Sequence, residues 1–418
     1  MKNKILITIL IGILVSSSLF ASTFFDDNEL FNPKVTFKPI SAKIEAMGGA
    51  GLATASGSDA FFINPANLAN RKFSLNLPSV SVTVFNPKRI IDKGIIEGIT
   101  EGEEPAKLAL DFLNILNTGK GDILTTDIAT SFTASGFGFG LQIQEQLHNY
   151  DNSIDTNLFA EINVAATVGL GLRFSIVRNI LSIDAGVAVR PTYKFFSDAI
   201  NASGLISMFA DAEDHPNPEQ EFMKNVGVMA GMALPIDIGL NLNLPLGFKV
   251  SAVARNINGN FSMQKYSESG VWINEMLGVV GVDPIYDDPE DESFSEVTIE
   301  VPWSLDLGIG WIGSFGKFNN FLKPSLAFDF VDVVGLAEKL PDDPNAVWDH
   351  LKAGVELKLL STIGLRAGIN RGALSFGVGL DLFAIRVDAA YYWRELGAEI
   401  GDKAVDALTL RVNIGYDR

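Results

Sequence analysis

The chain has no cysteine anywhere in its 418 residues. That excludes disulfide staples, thiolate zinc sites, cysteine nucleophiles and lipid attachment through a cysteine after a leader. Histidine is nearly as scarce. His148, His215 and His350 stand in three separate segments, with no metal-ligand spacing between them. No serine is flanked in a way that selects it as a nucleophile. No catalytic residue, metal ligand set or cofactor is therefore assigned. Basic residues are outnumbered, 32 Lys and Arg against 50 Asp and Glu, for a formal charge of −18. Nucleic acid is a poor partner for such a surface, because its phosphates would be repelled. Long apolar runs are missing too: beyond Val15 nothing is long enough for a membrane helix.

The one early apolar run has its own explanation. Lys2 and Lys4 precede Ile5 to Val15, and Ser16, Ser17, Ser18, Leu19, Phe20 and Ala21 follow. A basic start, a short apolar core and a small-residue exit predict a secretory signal peptide over residues 1–21. Mean hydropathy is nevertheless +0.22, high for an exported chain. The apolar content is spread over short alternating segments, together with 39 Gly and 29 Phe. A membrane protein without spanning helices has one solution, a closed β-barrel, since every backbone polar group at membrane depth needs a partner.

The alternation supports that class. From Ile162 to Ile176, residues Ile162, Val164, Val168, Leu170, Leu172 and Phe174 share one face, and Asn163, Thr167, Gly169, Gly171 and Arg173 the other. The next segment repeats it, with Leu181, Ile183, Val187 and Phe195 against Asp184, Gly186, Arg190 and Lys194. Near the end, Leu374 to Leu380, Ile385 to Tyr391 and Leu408 to Tyr416 alternate as cleanly. Similar patterns cover 72–85, 134–147, 232–244, 246–257, 302–314, 321–332, 349–359 and 361–370. The prediction is an all-β transmembrane antiparallel barrel of 12–14 strands, fourteen being the even number favoured for a bacterial chain. Residues 72–418 form the barrel, and long, partly helical outer loops occupy 87–131, 197–225 and 258–301. A helical stripe over Pro105 to Leu116 lies in the first.

Strand phase also predicts a polar lumen. Arg173, Asp184, Arg190, Lys194, Arg366, Asp381, Arg386, Asp388 and Arg411 fall on its face, as do Asp237, Lys249, Arg255, Asp306, Lys352 and Glu356. Both signs are present, so the wall can form internal ion pairs, contact a plug or line water. Gly169, Gly171, Gly186, Gly377 and Gly379 share that face and leave room for something to pack inward. "GFGFG" at 136–140 has no lysine after it and sits in a strand pattern, which makes a phosphate loop a weak reading. The acidic run from Asp283 to Glu300 fits a solvated loop or a site for a hard cation.

A small-residue stretch precedes the first strand: "MGGAGLATASGSDAFFINPANLA", Met47 to Ala69. Small residues let backbone pass close to a wall. Asn64 before Pro65 reads as a turn. Asp59, Asn64 and Asn67 can pair with lumen bases, and Phe61, Phe62 and Ile63 put an apolar patch inside a polar tube. This stretch resembles the amino-terminal signature of FadL-like outer-membrane transport proteins, a group with related spirochaete and PorV-like barrels. The end, "LRAGINRGALSFGVGLDLFAIRVDAAYYWRELG", resembles their last strands. The resemblance implies a hatch within residues 22–71, folded into the barrel and using Asp59, Phe61, Phe62, Asn64, Pro65 and Asn67. It implies residence in the outer membrane, with its lipid and the barrel assembly machinery as partners and a hydrophobic small molecule, such as a long-chain fatty acid, as ligand. A structural, secretion-linked or surface-interaction barrel and a general porin are the rival functions. The chain ends "NIGYDR", so Tyr416 is two residues short of a terminal aromatic.

Overall fold

Alternating faces need a closed wall, and the chain builds one. A computed structural model describes residues 41–92, 121–149, 157–178, 180–197, 200–201, 226–279, 281–286, 295–395 and 404–417. The leader, His215 and the stripe at 105–116 lie outside these residues. Fourteen antiparallel strands run round the barrel. They are β1 Ser74–Phe85, β2 Gly121–Ala134, β3 Phe137–Asn149 and β4 Asn157–Val177. Four broken strands follow: β5 (Leu181–Val189, Thr192–Ser197 and Ile200–Asn201), β6 (Val228–Ala233 and Ile236–Asn243), β7 (Phe248–Ile257 and Phe261–Tyr266) and β8 (Ser295–Ile299 and Ser304–Ile312). Then come β9 Leu322–Phe330, β10 Leu351–Leu359, β11 Ile363–Asn370, β12 Ala373–Leu382, β13 Ile385–Glu395 and β14 Ala404–Asp417. Strand β1 pairs with β2 on one side and with β14 on the other, from Ser74 opposite Asp417 to Phe85 opposite Ala407, which closes the ring.

The fourteenth strand is β2, which the sequence pattern leaves in the predicted loop 87–131. Its outward positions include Thr126 and Thr130 beside Leu124, Ile128 and Phe132, so its apolar alternation is diluted. The predicted loop 258–301 is likewise shortened at both ends, by Phe261–Tyr266 and Ser295–Ile299. Of the predicted loop 197–225, the described residues Ser197, Ile200 and Asn201 belong to β5. Pro191 interrupts β5 because it has no N–H to give the ladder. Pairing resumes without a slip: Val168 faces Val189 and Ala165 faces Thr192.

Turns at 135–136, 360–362 and 383–384 are short and lie at the end that holds residues 74 and 417. The longest connections lie at the other end, which identifies it as the outer one. Helices α1 Ala42–Ala46 and α2 Ala60–Ile63 precede β1; α3 Pro87–Asp92, α4 Ser269–Val279, α5 Val333–Lys339 and α6 Ala346–His350 belong to the outer end. The outer surface of the wall is apolar: Leu170, Leu172, Phe174, Leu240, Phe328 and Leu410 are bare on it. Aromatics ring the inner rim. Phe73 packs on Phe132 and Tyr416, at 5.8 and 6.3 Å between centroids, and Phe383 on Tyr416 at 5.9 Å. Tyr416 thus joins the girdle such barrels place at a membrane interface.

Candidate functional site

Residues 41–71 lie inside the barrel and are almost wholly buried. The wall is cut to receive them. Gly138 and Gly140 on β3, Gly169 and Gly171 on β4, Gly186 on β5, Gly239 on β6, Gly308 and Gly310 on β8, Gly354 on β10, Gly368 on β11 and Gly377 on β12 all face the segment. A methyl group added at any of them would stand within 3.0 Å of it. At Gly186 the obstacle is backbone, with the carbonyl carbon of Pro65 at 2.3 Å. On the segment's own side, Gly48 has φ +67° and would drive a Cβ to 2.4 Å from the Ile369 carbonyl, so both conformation and contact require glycine there. The weak "GFGFG" motif acquires a role: Phe137 and Phe139 point outward, while Gly138 and Gly140 admit Phe61, Phe62 and Leu68. Gly379 differs from the expectation. It faces Arg366 and Asp388 of the wall itself.

The polar residues of the segment are braced. Asn64 is extended, φ −157° and ψ 111°, as a residue before proline must be, and its Oδ1 accepts from the Ala66 N–H at 2.9 Å to start a 3₁₀ turn over Pro65–Asn70. Its Nδ2 donates to Asn241 Oδ1 at 2.8 Å and to the Leu52 carbonyl at 3.1 Å. Asn241 Nδ2 donates to Asn67 Oδ1 at 3.1 Å, and Asn67 Nδ2 to the same Leu52 carbonyl at 3.2 Å. Asn67 also receives Lys249 Nζ at 3.4 Å. Asn64 therefore meets an asparagine of β6 where pairing with a base was expected. Pro65 seats the turn against Gly186.

Asp59 accepts from Arg411 Nη1 at 2.9 Å and from Ser41 Oγ at 3.1 Å, while Arg411 also donates to Ser41 and Ser79. Burial pushes the Asp59 carboxyl up, but Arg411, Lys43 and Ser41 outweigh it and hold the pKa below the ordinary value. With a lowered pKa, this carboxylate's contribution is present above the ordinary Asp range and is lost as pH falls through the lowered value. Arg411→Ala is expected to leave Asp59 buried without its partner, a penalty on the order of 3–5 kcal/mol. The amino-terminal segment should then become accessible to protease in the folded barrel, and Asp59→Asn in the same chain should restore part of the protection. Unchanged cleavage would show that the pair does not hold the segment.

Most lumen charges singled out by strand phase find an opposite charge, while Lys249 meets the Asn67 amide. Arg173 pairs with Asp184 at 2.6 Å, Arg190 with Asp237 at 3.6 Å, and Lys194 with Glu161 at 2.7 Å. Arg366 bridges Glu356 at 2.8 Å and Asp388 at 2.6 Å, and Asp381 takes both Lys358 and Arg386. Lys43 of the segment reaches Glu356 at 3.1 Å. Strand phase passed over Asp329 on β9. Its Oδ2 accepts the Gly51 and Leu52 N–H groups at 2.6 and 3.0 Å. The signal for it was present, an acid between Phe328 and Phe330 on the lumen phase.

Phe61 and Phe62 are buried against each other, 4.1 Å between centroids, and against Leu68. A second apolar lining was not anticipated. Phe196, Met229, Phe261, Met263, Ile299 and Val301 cluster inside the outer half of the lumen, beneath Lys194, whose Nζ lies 4.9 Å from the Phe196 ring and 5.5 Å from that of Phe261. Beside them the ladder between β7 and β8 is interrupted. Pairing stops at Arg255 opposite Ser304 and resumes at Phe261 opposite Ile299. Asn260 Oδ1 accepts the Val301 N–H at 3.0 Å across the interval. Among the described residues, no group of three or more His, Asp or Glu is placed to hold a metal ion. His350 Nδ1 sits 2.8 Å from the Val331 carbonyl.

No family model matches the sequence, and no curated protein does. Among solved structures, the chain is similar to the Pseudomonas putida toluene transporter TodX, with 12% identity and a TM-score of 0.45 over 93% of this chain and 99% of that one. It is similar to the Ralstonia pickettii toluene transporter TbuX, with 14% identity and a TM-score of 0.44 over 91% and 98%. A Pseudomonas aeruginosa FadL homologue gives 10% identity and a TM-score of 0.43 over 91% and 99%. On its own geometry, with a closed even-numbered wall, an apolar outer belt, aromatics at the inner rim and a charged inner face, the chain is a multi-pass β-barrel of the outer-membrane type.

Proposed function

We propose that this barrel takes up hydrophobic small molecules across the outer membrane, with residues 41–71 as its hatch. The observation that carries the reading is the apolar cluster around Phe261, set in an otherwise charged lumen beside the interrupted ladder of β7 and β8. An oily solute gains by leaving water for such a lining, and a stretch of wall without ladder hydrogen bonds is the part that moves at least cost. Phe61 and Phe62, with Leu68, offer a second and separate apolar cluster on the hatch. Long-chain fatty acids are one solute class that fits. Tyr416 in the inner girdle supports handling by the barrel assembly machinery.

The test is binding of a fluorescent long-chain fatty acid to purified protein. Phe61→Ala with Phe62→Ala is expected to weaken binding by about tenfold or more, from the loss of two large apolar surfaces. Heat-modifiable migration should be kept. Unchanged affinity would leave both rings as packing residues. A specific observation favours a second reading, a structural barrel that moves nothing: Phe61 is wholly buried and the lumen charges pair with one another or with the segment. That barrel would bind no fatty acid. A general porin fits less well, since it needs a water-filled lumen at the level residues 41–71 occupy.

A further inference from the structure

The connection between β7 and β8 does not simply cover the barrel mouth. Helix α4 packs against the outer surface of the wall. Val271 joins a buried cluster with Val226, Val228, Ala230 and Tyr266, and Tyr193, Phe195 and Trp272 pack on it. These wall residues point away from the lumen. Tyr193 and Phe195 share the phase of lipid-facing Val187, and Val228 and Ala230 that of Met232, which is bare. The polar groups of α4 are turned to the same side or back on the chain. Trp272 Nε1 donates to Tyr193 Oη at 2.7 Å, and Tyr266 Oη to Glu275 at 2.6 Å. Asn274 Oδ1 accepts the Ile285 and Tyr286 N–H groups, and its Nδ2 donates to the Tyr286 carbonyl.

The free side of this unit is mainly apolar, with Asp283 exposed among its apolar residues. Val279 is 80% exposed, Ile285 63% and Val282 48%. Ser269–Val279 contains no base and a single acid, Glu275, already bonded. An exposed apolar end on such a helix needs an apolar neighbour, and the wall covers only the opposite side. Its height indicates the other. Along β6 the helix covers Ala230, and the belt is bare from Met232 onward. The ten residues from there to Leu242 rise about 33 Å along a strand, or about 25 Å along the membrane normal at a tilt of about 40°. That equals the height of an apolar belt, so α4 lies at its outer border, where tryptophan and tyrosine favour the boundary of acyl chain and headgroup.

We propose that α4 and the turn through Tyr286 form an interfacial collar, whose face of Val279, Val282 and Ile285 docks into the lipid of the outer leaflet. The occupant is acyl chain at the headgroup boundary, because Val279, Val282 and Ile285 continue the lipid-facing belt, and the exposed Asp283 among them suits the headgroup level where the belt ends. The absence of native cysteine makes the test clean. The full chain with Val279→Cys or Ile285→Cys, carrying a small polarity-sensitive fluorophore, is placed in phosphatidylcholine vesicles with or without brominated acyl chains. Asp342→Cys, exposed between α5 and α6, is the water-facing control. Labels at 279 and 285 are expected to emit to the blue and to be quenched severalfold by brominated lipid, while the label at 342 responds to aqueous iodide alone. Iodide quenching at 279 and 285 as strong as at 342, with no response to bromine, would overturn the collar. So would efficient disulfide capture of two Val279→Cys chains in dilute vesicles, which would give the face to a second copy. A variant that loses heat-modifiable migration is replaced by labelling at Val282, to which the same two outcomes apply.

Discussion

A barrel lacking residues 41–71 is expected to carry a large, steady current in a planar bilayer, where the intact protein passes little or none. Those residues occupy the lumen from β3 round to β12, so removing them opens a fourteen-stranded ring to water. The wall should survive. Its closure rests on ladder pairs such as Val80 with Val412 and Val84 with Leu408, none of which involves the segment. The lumen groups left behind, Arg411, Asp329 and Asn241, would then be solvated by the water that enters, so no unpaired group stays buried. Heat-modifiable migration checks that the barrel has formed. A folded, truncated barrel with no added conductance would show that something other than this segment closes the lumen.

Gly186→Leu is expected to act nearly as strongly without shortening the chain. The added Cβ alone would lie 2.3 Å from the Pro65 carbonyl carbon and 2.5 Å from the Ala66 nitrogen, and backbone cannot swing aside as a side chain can. The turn at 64–66 must leave the wall. With it go the bonds from Asn64 to Asn241 and from Asn241 to Asn67, each unpaired buried group costing about 1–3 kcal/mol. The amino-terminal segment should become sensitive to protease and conductance should appear. Gly278→Ala is the control, since nothing lies within 4 Å of an added methyl there. Equal protection in both variants would mean that the segment is not seated on β5 as the geometry requires.

The outer face of this protein was readable before any coordinate. Lipid demands an apolar residue at every second position, so β4, β5, β12 and β14 carry strong local signals, and the opposite phase held the lumen charges. The signal failed where the outward phase was weak, as in β2 with its two threonines. It also failed after Ile257, where Asn256 and Asn258 take positive φ and the register between β6 and β7 slips. Across that two-residue slip Phe261 and Met263 keep the inward phase of Ser251 and Val253, and apolar side chains on a lumen phase have no local signal to distinguish them from lipid-facing ones.

What the sequence by itself determined is the class of solution: no long apolar helix, a two-residue period, a net acidic chain, and a glycine-and-alanine stretch suited to close contact with a wall. These are local properties, legible because each strand must satisfy its own two faces. Which residues meet inside was decided only by the tertiary structure. Arg411 reaches Asp59 across 352 residues of chain, and Asp329 finds the Gly51 N–H across 278. A side chain's partner in a closed tube depends on strand order, register and the path of the segment within it, and these are set jointly by the whole ring rather than by any stretch of chain.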